Sequence, residues 1–114
     1  MQIVQKEPCV YILASGVNGT LYIGVTARLF DRVMMHKEGA IDGFTKRYNI
    51  HRLVYYEIYD SLENAQRREK QLKEWNRQWK IRLIEEMNPE WHDLFDKTEG
   101  IVRVGPRGQG EKSR

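Results

Sequence analysis

The sequence predicts a small α/β protein of the α+β kind: a three-stranded antiparallel sheet flanked by helices. Three observations lead there. Two short runs rich in β-branched and aromatic residues, Cys9 to Ala14 (CVYILA) and Thr20 to Val25 (TLYIGV), are separated by Asn18-Gly19. That dipeptide is a hairpin signal, because both residues accept positive φ. A third run of the same flavour, Arg52 to Tyr59 (RLVYYEIY), stands alone. Between and after these runs, apolar residues recur at helical spacing instead of alternating.

The elements follow in order. Thr26 offers a side-chain oxygen as a helix N-cap. From Ala27 to Lys37, Leu29, Phe30, Val33 and Met34 form a helical stripe, and Gly39 suits the stop. Residues 39–50 read as a loop with Gly43 and Asn49 as breakers. After the third strand, Asp60-Ser61-Leu62-Glu63 has the form of a capping box, Glu63 standing three residues after Asp60. A helical stretch then runs to about Met87 with a break near Asn76. Asn88-Pro89 ends it, since the residue before a proline avoids helical geometry. Trp91, Leu94 and Phe95 are expected to pack back on the domain. Residues 1–8 thus form a lead, 9–95 the domain, and 96–114 a tail. The tail is expected to be disordered, since from Gly100 onward it holds four glycines, one proline and scattered charge.

Bulk properties bound the function classes. A chain of 114 residues suits one domain, and 40% hydrophobic content supports one modest core. The 19 Lys and Arg against 16 Asp and Glu leave a net charge of +3, which permits binding to a polyanion without requiring it. The single cysteine, Cys9, excludes an internal disulfide and fits a reducing compartment. No apolar run reaches membrane-spanning length, and Met1 to Glu7 lacks a hydrophobic signal core, so the cytoplasm is the expected location.

Several residues fall where a core would not put them. With a two-residue Asn18-Gly19 loop, Ser15 pairs with Tyr22 and Leu13 with Gly24. Val10, Ile12, Leu21, Ile23 and Val25 then share a wholly apolar face, while Tyr11, Leu13, Ser15, Tyr22 and Gly24 share the other. Both tyrosines therefore stand on the more polar face, beside a glycine that leaves room; the plainer alternative is two half-buried tyrosines holding sheet to helix. Arg28, Arg32 and His36, spaced four apart, form a ridge whose guanidinium forks suit phosphate oxygens, or else a solvated helix face. In the long helical stretch Leu62, Ala65, Glu69, Leu72, Asn76 and Trp79 follow steps of three and four, which puts Glu69 on the inward stripe. A carboxylate there needs a neighbouring Arg or Lys, several donors, or a metal ion.

These residues, in this order, resemble the GIY-YIG nucleases. Cys9-Val10-Tyr11 stands at the family's first tripeptide, and Tyr22-Ile23-Gly24 matches the second, eleven residues on from tyrosine to tyrosine. Arg32 and His36 follow on the next helix and Glu69 on a later one. The blocks Arg68-Glu69-Lys70-Gln71-Leu72-Lys73, Trp79-Lys80-Ile81 and Asn88-Pro89-Glu90-Trp91 resemble small stand-alone bacterial members, a branch similar to the nuclease domain found in excinuclease. The resemblance covers about residues 9–95. The chain departs from the pattern twice. Its first tripeptide keeps only the tyrosine. Where many members place an asparagine soon after the catalytic helix, it has Trp79-Lys80, with Asn76 and Asn88 out of register.

The resemblance implies a GIY-YIG-like fold and a metal-dependent endonuclease acting on nucleic-acid phosphodiesters, DNA before RNA, with a role in DNA repair. It implies one Mg²⁺ or Mn²⁺ held by Glu69 and phosphate bound by Arg32. Tyr22 would take the proton of the attacking water, and Tyr11 would orient the water or the phosphate. His36 would hold a tyrosine hydroxyl or shuttle the proton, and Gly24 would be structural. A free tyrosine titrates near pH about 10; Arg28, Arg32 and the metal are expected to lower that by favouring phenolate. Arg28, Lys46, Arg47, Lys70 and Lys73, with Tyr48 in the loop, are candidate contacts to the nucleic-acid backbone. Three other readings remain open: a nucleic-acid-binding module whose chemistry is weak or lost, a nuclease component that needs a partner protein, and a plain structural domain of α/β class. A homodimer would allow one site per protomer to cut both strands.

Overall fold

A computed structural model describes residues 6–41 and 43–101. Strand β1 (Cys9–Ala14) is buried along its whole length because it is the middle strand, with β2 (Leu21–Thr26) and β3 (Arg52–Ile58) antiparallel on either side. Covered on both faces, it reads in sequence as a continuous apolar run.

The hairpin loop is longer than Asn18-Gly19 alone suggests. Gly19 N–H donates to Gly16 O at 3.0 Å and Ser15 N–H to Thr20 O at 3.0 Å, so Gly16 to Gly19 make the turn, with Asn18 at φ 58°. The pairing is therefore Leu13 with Tyr22 and Tyr11 with Gly24, in place of the expected Leu13 with Gly24. A slip of one residue would have exchanged the faces; a slip of two preserves them. Tyr11, Leu13, Tyr22 and Gly24 still share one side of the sheet.

That side packs against α1 (Leu29–Lys37). Tyr11, Leu13, Leu29, Val33, Ile50, Leu53 and Tyr56 form one buried cluster. The opposite side, through Val10, Ile12 and Ile23, packs against Ala65 and Leu72 of α3 (Leu62–Glu74), Ile84 of α4 (Arg77–Met87) and Trp91. The sheet is thus the middle of three layers, each helix burying one stripe against it.

The helix ends differ from expectation where capping decides them. Thr26 Oγ1 accepts from Arg28 N–H at 3.0 Å, closing the turn before α1, so the helix begins at Leu29 instead of Ala27. Gly39, at φ 70°, ends it as expected. The expected loop over residues 39–50 contains a single helical turn, α2 (Phe44–Arg47), too short to show periodicity in sequence. The cap of α3 is Ser61, whose Oγ accepts from Asn64 N–H at 3.1 Å; Asp60 bonds the Asn64 side chain instead. The break near Asn76 is present, because Asn76 caps α4 by accepting from Trp79 N–H at 2.9 Å. That break turns the expected stripe, and Leu62 and Trp79 at its ends are exposed.

Asn88 ends α4 and is buried. Its amide donates to Val54 O and His92 O, and its Oδ1 accepts from His92 N–H, which pins the returning chain so that Trp91 and Phe95 are buried. The first residues of the expected tail, 96–101, carry regular structure. Strands β4 (Phe95–Asp96) and β5 (Gly100–Ile101) pair as a small hairpin, and Ile101 is buried in the α1-side cluster. One apolar anchor thus orders a stretch whose glycine content suggests none. The rest of the expected tail, residues 102–114, lies outside the described residues. Among the described residues no helix is long and apolar enough to cross a membrane.

The join between α3 and the sheet contains an ion pair. Glu57 Oε1 accepts from Arg68 Nε at 2.9 Å and from the Tyr59 hydroxyl at 2.7 Å; Oε2 accepts from Arg68 Nη2 at 2.9 Å and from the Tyr55 hydroxyl at 2.5 Å. Burial opposes charge on Glu57, but these donors outweigh it and hold the carboxyl below its usual range. Arg68 also lies over the Trp75 ring, 5.2 Å from its centre. Removing one partner of such a pair strands the other. Arg68→Ala is expected to lower stability by about 3 kcal/mol in urea unfolding. The Glu57 contribution is fully present above the ordinary value of 4.5 and is lost as pH falls below it. Glu57→Gln should flatten that acid limb, which urea midpoints measured from neutral pH downward will check.

Candidate active site

Tyr11 and Gly24 face each other across the β1–β2 ladder, and the phenol lies over the glycine. A Cβ on Gly24 would stand 2.5 Å from the Tyr11 hydroxyl and 2.6 Å from Cζ, so any side chain there would displace the ring. Tyr11 is 1% exposed and its hydroxyl needs an internal partner. His36, in the last turn of α1 and 3% exposed, supplies it: Nε2 is 3.2 Å from the Tyr11 hydroxyl. The other ring nitrogen, Nδ1, is 3.0 Å from Oγ1 of Thr45, the buried residue of α2. Either neutral tautomer of His36 completes this Tyr11–His36–Thr45 chain. The ring of Tyr22, half-buried, is centred 5.4 Å from His36 and 6.4 Å from Tyr11.

Electrostatics divides this cluster into a sealed part and a wet rim. Burial, reinforced by Tyr22, pushes the Tyr11 phenol well above its ordinary range; Arg32 pulls the other way and does not prevail. Arg32 thus acts on Tyr11 in the direction expected of a cation, but desolvation is the larger effect at this buried ring. Burial and then the Arg32 guanidinium lower His36 to about 4, so its imidazole is neutral at neutral pH. Arg32 itself is exposed.

Glu69 approaches from the opposite layer, on α3, which packs beside β2, the edge strand. Its charge acts on Tyr11 together with those of Tyr22 and Arg32. Its side chain is 18% exposed, and Oε2 is 3.0 Å from Lys73 Nζ. The inward stripe is thus real at Glu69, and the neighbouring lysine foreseen as a partner is in place. Tyr11, Tyr22 and His36 pack as neighbouring rings, and the charges of Arg32 and Glu69 lie near enough to act on Tyr11.

The expected Arg28–Arg32–His36 ridge does not form. Arg28 precedes the first turn, and its Nε donates to Asp31 Oδ2 at 2.9 Å with both side chains more than half exposed. His36 turns inward on the same stripe as Leu29 and Val33. Lys46 and Arg47 are exposed on α2, and Lys70 is exposed on α3 beside Lys73. Asn76 and Asn88 are both spent on the ends of α4. Thr45 is the site residue that sequence reasoning missed; a threonine in a four-residue helix gives no periodic signal.

Among the described residues no group of three or more His, Cys, Asp or Glu side chains is placed to hold a metal ion. Glu69 alone fits a hard divalent cation of the kind that takes one or two carboxylates and keeps several waters. Lys73, 54% exposed, neutralises Glu69 only weakly, because pairs of that kind contribute about 0–1 kcal/mol.

The GIY-YIG catalytic domain matches residues 7–82, a stretch that contains all five residues of this cluster. The chain belongs to the GIY-YIG family. This is a family of nucleases, and its small bacterial members include proteins similar to this one. A UPF0213 protein of Staphylococcus haemolyticus is 38% identical over 77 residues, 68% of this chain and 93% of the relative. A UPF0213 protein of Staphylococcus aureus strain Mu3 is 40% identical over 78 residues, with the same coverage of each chain. No solved structure matches the chain. In this GIY-YIG domain, NMR titration should find His36 with a midpoint near 4, and Arg32→Ala should raise it by removing the repelling charge. The folded-state value lies below the ordinary 6.5, so the stability His36 contributes is present above pH 6.5 and lost as pH falls toward 4.

Proposed function

We propose that the protein is a metal-dependent endonuclease that hydrolyses phosphodiester bonds of nucleic acid, DNA in preference to RNA. The observation that carries this reading is the meeting of two tyrosines, a neutral histidine, an exposed arginine and one half-buried carboxylate beside a glycine that makes room for them. A phosphodiester repels nucleophiles, so its hydrolysis needs a proton acceptor for water, charge neutralisation at the phosphate and help for the departing oxygen.

Arg32, exposed at the rim, binds the phosphate and stabilises the charge that develops there. Tyr22 is the proton acceptor for the attacking water. It is half-buried and within reach of the rim, while Tyr11 is sealed and held as a neutral phenol. Tyr11 therefore orients its neighbours, and His36 keeps its hydroxyl in place through the bond to Thr45. Glu69 would hold a Mg²⁺ or Mn²⁺ ion, which supplies charge neutralisation at the phosphate and the leaving oxygen. Lys73, released from Glu69, adds a cation beside the bound backbone, with Lys70, Lys46 and Arg47 further along it.

The test is cleavage of labelled single-stranded, duplex, flap and branched DNAs in Mg²⁺ or Mn²⁺. The parent is expected to cut, and EDTA to stop it. Tyr22→Phe should slow cutting by about 10²–10⁴-fold, and Arg32→Ala by about 10²–10³-fold. Glu69→Ala should abolish cutting while leaving binding in place. Uncut DNA of every kind, bound equally by the parent and by Glu69→Ala, would favour the binding-module reading over the enzyme.

A further inference from the structure

Helix α2 has two sides. Thr45 points inward to His36, and Ile50 N–H donates to Thr45 O at 2.8 Å, so the turn is anchored to the buried Ile50. On the outside, Phe44 and Tyr48 are each 49% exposed, with ring centres 4.9 Å apart and planes inclined at 51°. Lys46 and Arg47 are exposed between them, and these four residues with Gly43 line a surface hollow of about 770 Å³. Two aromatic rings held at the surface leave apolar area that no described residue covers.

The chemistry of the patch selects its occupant. Paired cations call for a polyanion, and flat apolar rings call for something flat to lie on them. A duplex satisfies only the cations, because its bases are already stacked within the helix. A strand with unpaired bases satisfies both, with phosphates on Lys46 and Arg47 and bases on the rings.

We propose that Phe44 and Tyr48 form a stacking platform for unpaired bases, so that the site takes single-stranded segments of nucleic acid in preference to continuous duplex. This deepens the nuclease reading and rests on it. Phe44 is also the neighbour in sequence of Thr45, whose hydroxyl bonds His36.

The experiment is fluorescence anisotropy in EDTA, where cutting is prevented, with a short labelled single-stranded DNA, the RNA of the same sequence and the duplex of equal length. The doubly substituted Phe44→Ala, Tyr48→Ala protein should bind single strands at least about tenfold more weakly than the parent, with duplex binding changed by less than about threefold. Phe44→Leu, Tyr48→Leu, which keeps apolar bulk without rings, should show the same selective loss. Lys46→Ala, Arg47→Ala should weaken all three ligands alike and reduce the salt dependence. Matching melting curves will show that the variants are folded. A loss on DNA alone, on RNA alone or on both single strands supports the platform and identifies which strand it takes. Equal effects on single strand and duplex, or none on either, overturn the platform and leave the nuclease reading standing. A parent that binds none of the three overturns both.

Discussion

The close approach of Tyr11 to Gly24 is the constraint on which the rest of the site depends. A phenol in the middle strand of the sheet can lie across its neighbour only where that neighbour has no Cβ. Once the ring lies there, its hydroxyl is buried, and a buried hydroxyl without a partner costs about 1–3 kcal/mol. His36 answers that need from α1, and its own second nitrogen needs a partner in turn. Thr45 provides it, which requires the single turn of α2 to be held against the domain. One missing methyl group on β2 thus dictates a side chain on a helix and a residue in the connection after it.

The same burial sets the division of charge. Desolvation keeps Tyr11 protonated and His36 neutral, so the interior of the cluster carries no net charge. The groups that can carry or meet charge stand at the edge: Arg32 on α1, Tyr22 on β2 and Glu69 on α3. Their fields act on a neutral interior of low polarisability and are weakened there less than in water.

The faces of the sheet were legible in sequence because alternation is insensitive to a two-residue slip, and that alone put both tyrosines and Gly24 together. The pairing itself was not legible, since it depends on whether Gly16 or Asn18 opens the turn, and both are compatible with the composition. Glu69 could be found because a carboxylate falls between Ala65 and Leu72 on the inward stripe. His36 could have been read as inward by the same logic, from its spacing to Leu29 and Val33, but its spacing to Arg32 and Arg28 pointed outward with equal force. Only the true start of α1, at Leu29, separates the two. Thr45 and the ordered pair β4–β5 lie in segments shorter than any period. The sign of the shift at Tyr11 depends on how much water the ring retains, which a linear sequence does not state.

Helix α3 shows how position and availability can be set by different neighbours. Arg68 is clamped by both oxygens of Glu57 and lies over Trp75, in a setting where both charged side chains are largely out of water. That clamp fixes the rotation of the helix and with it the direction of Glu69, the next residue. Lys73, one turn on, touches Glu69 from solvent and holds it only weakly. Were Lys73 as deeply buried as Arg68, Glu69 would be committed to it and unable to exchange that partner for a cation. Were Arg68 as exposed as Lys73, the helix could turn and the carboxylate would lose its bearing on Tyr11. A rigid anchor beside a loosely paired carboxylate would keep Glu69 aimed while its counterion changed, as the proposed metal role requires.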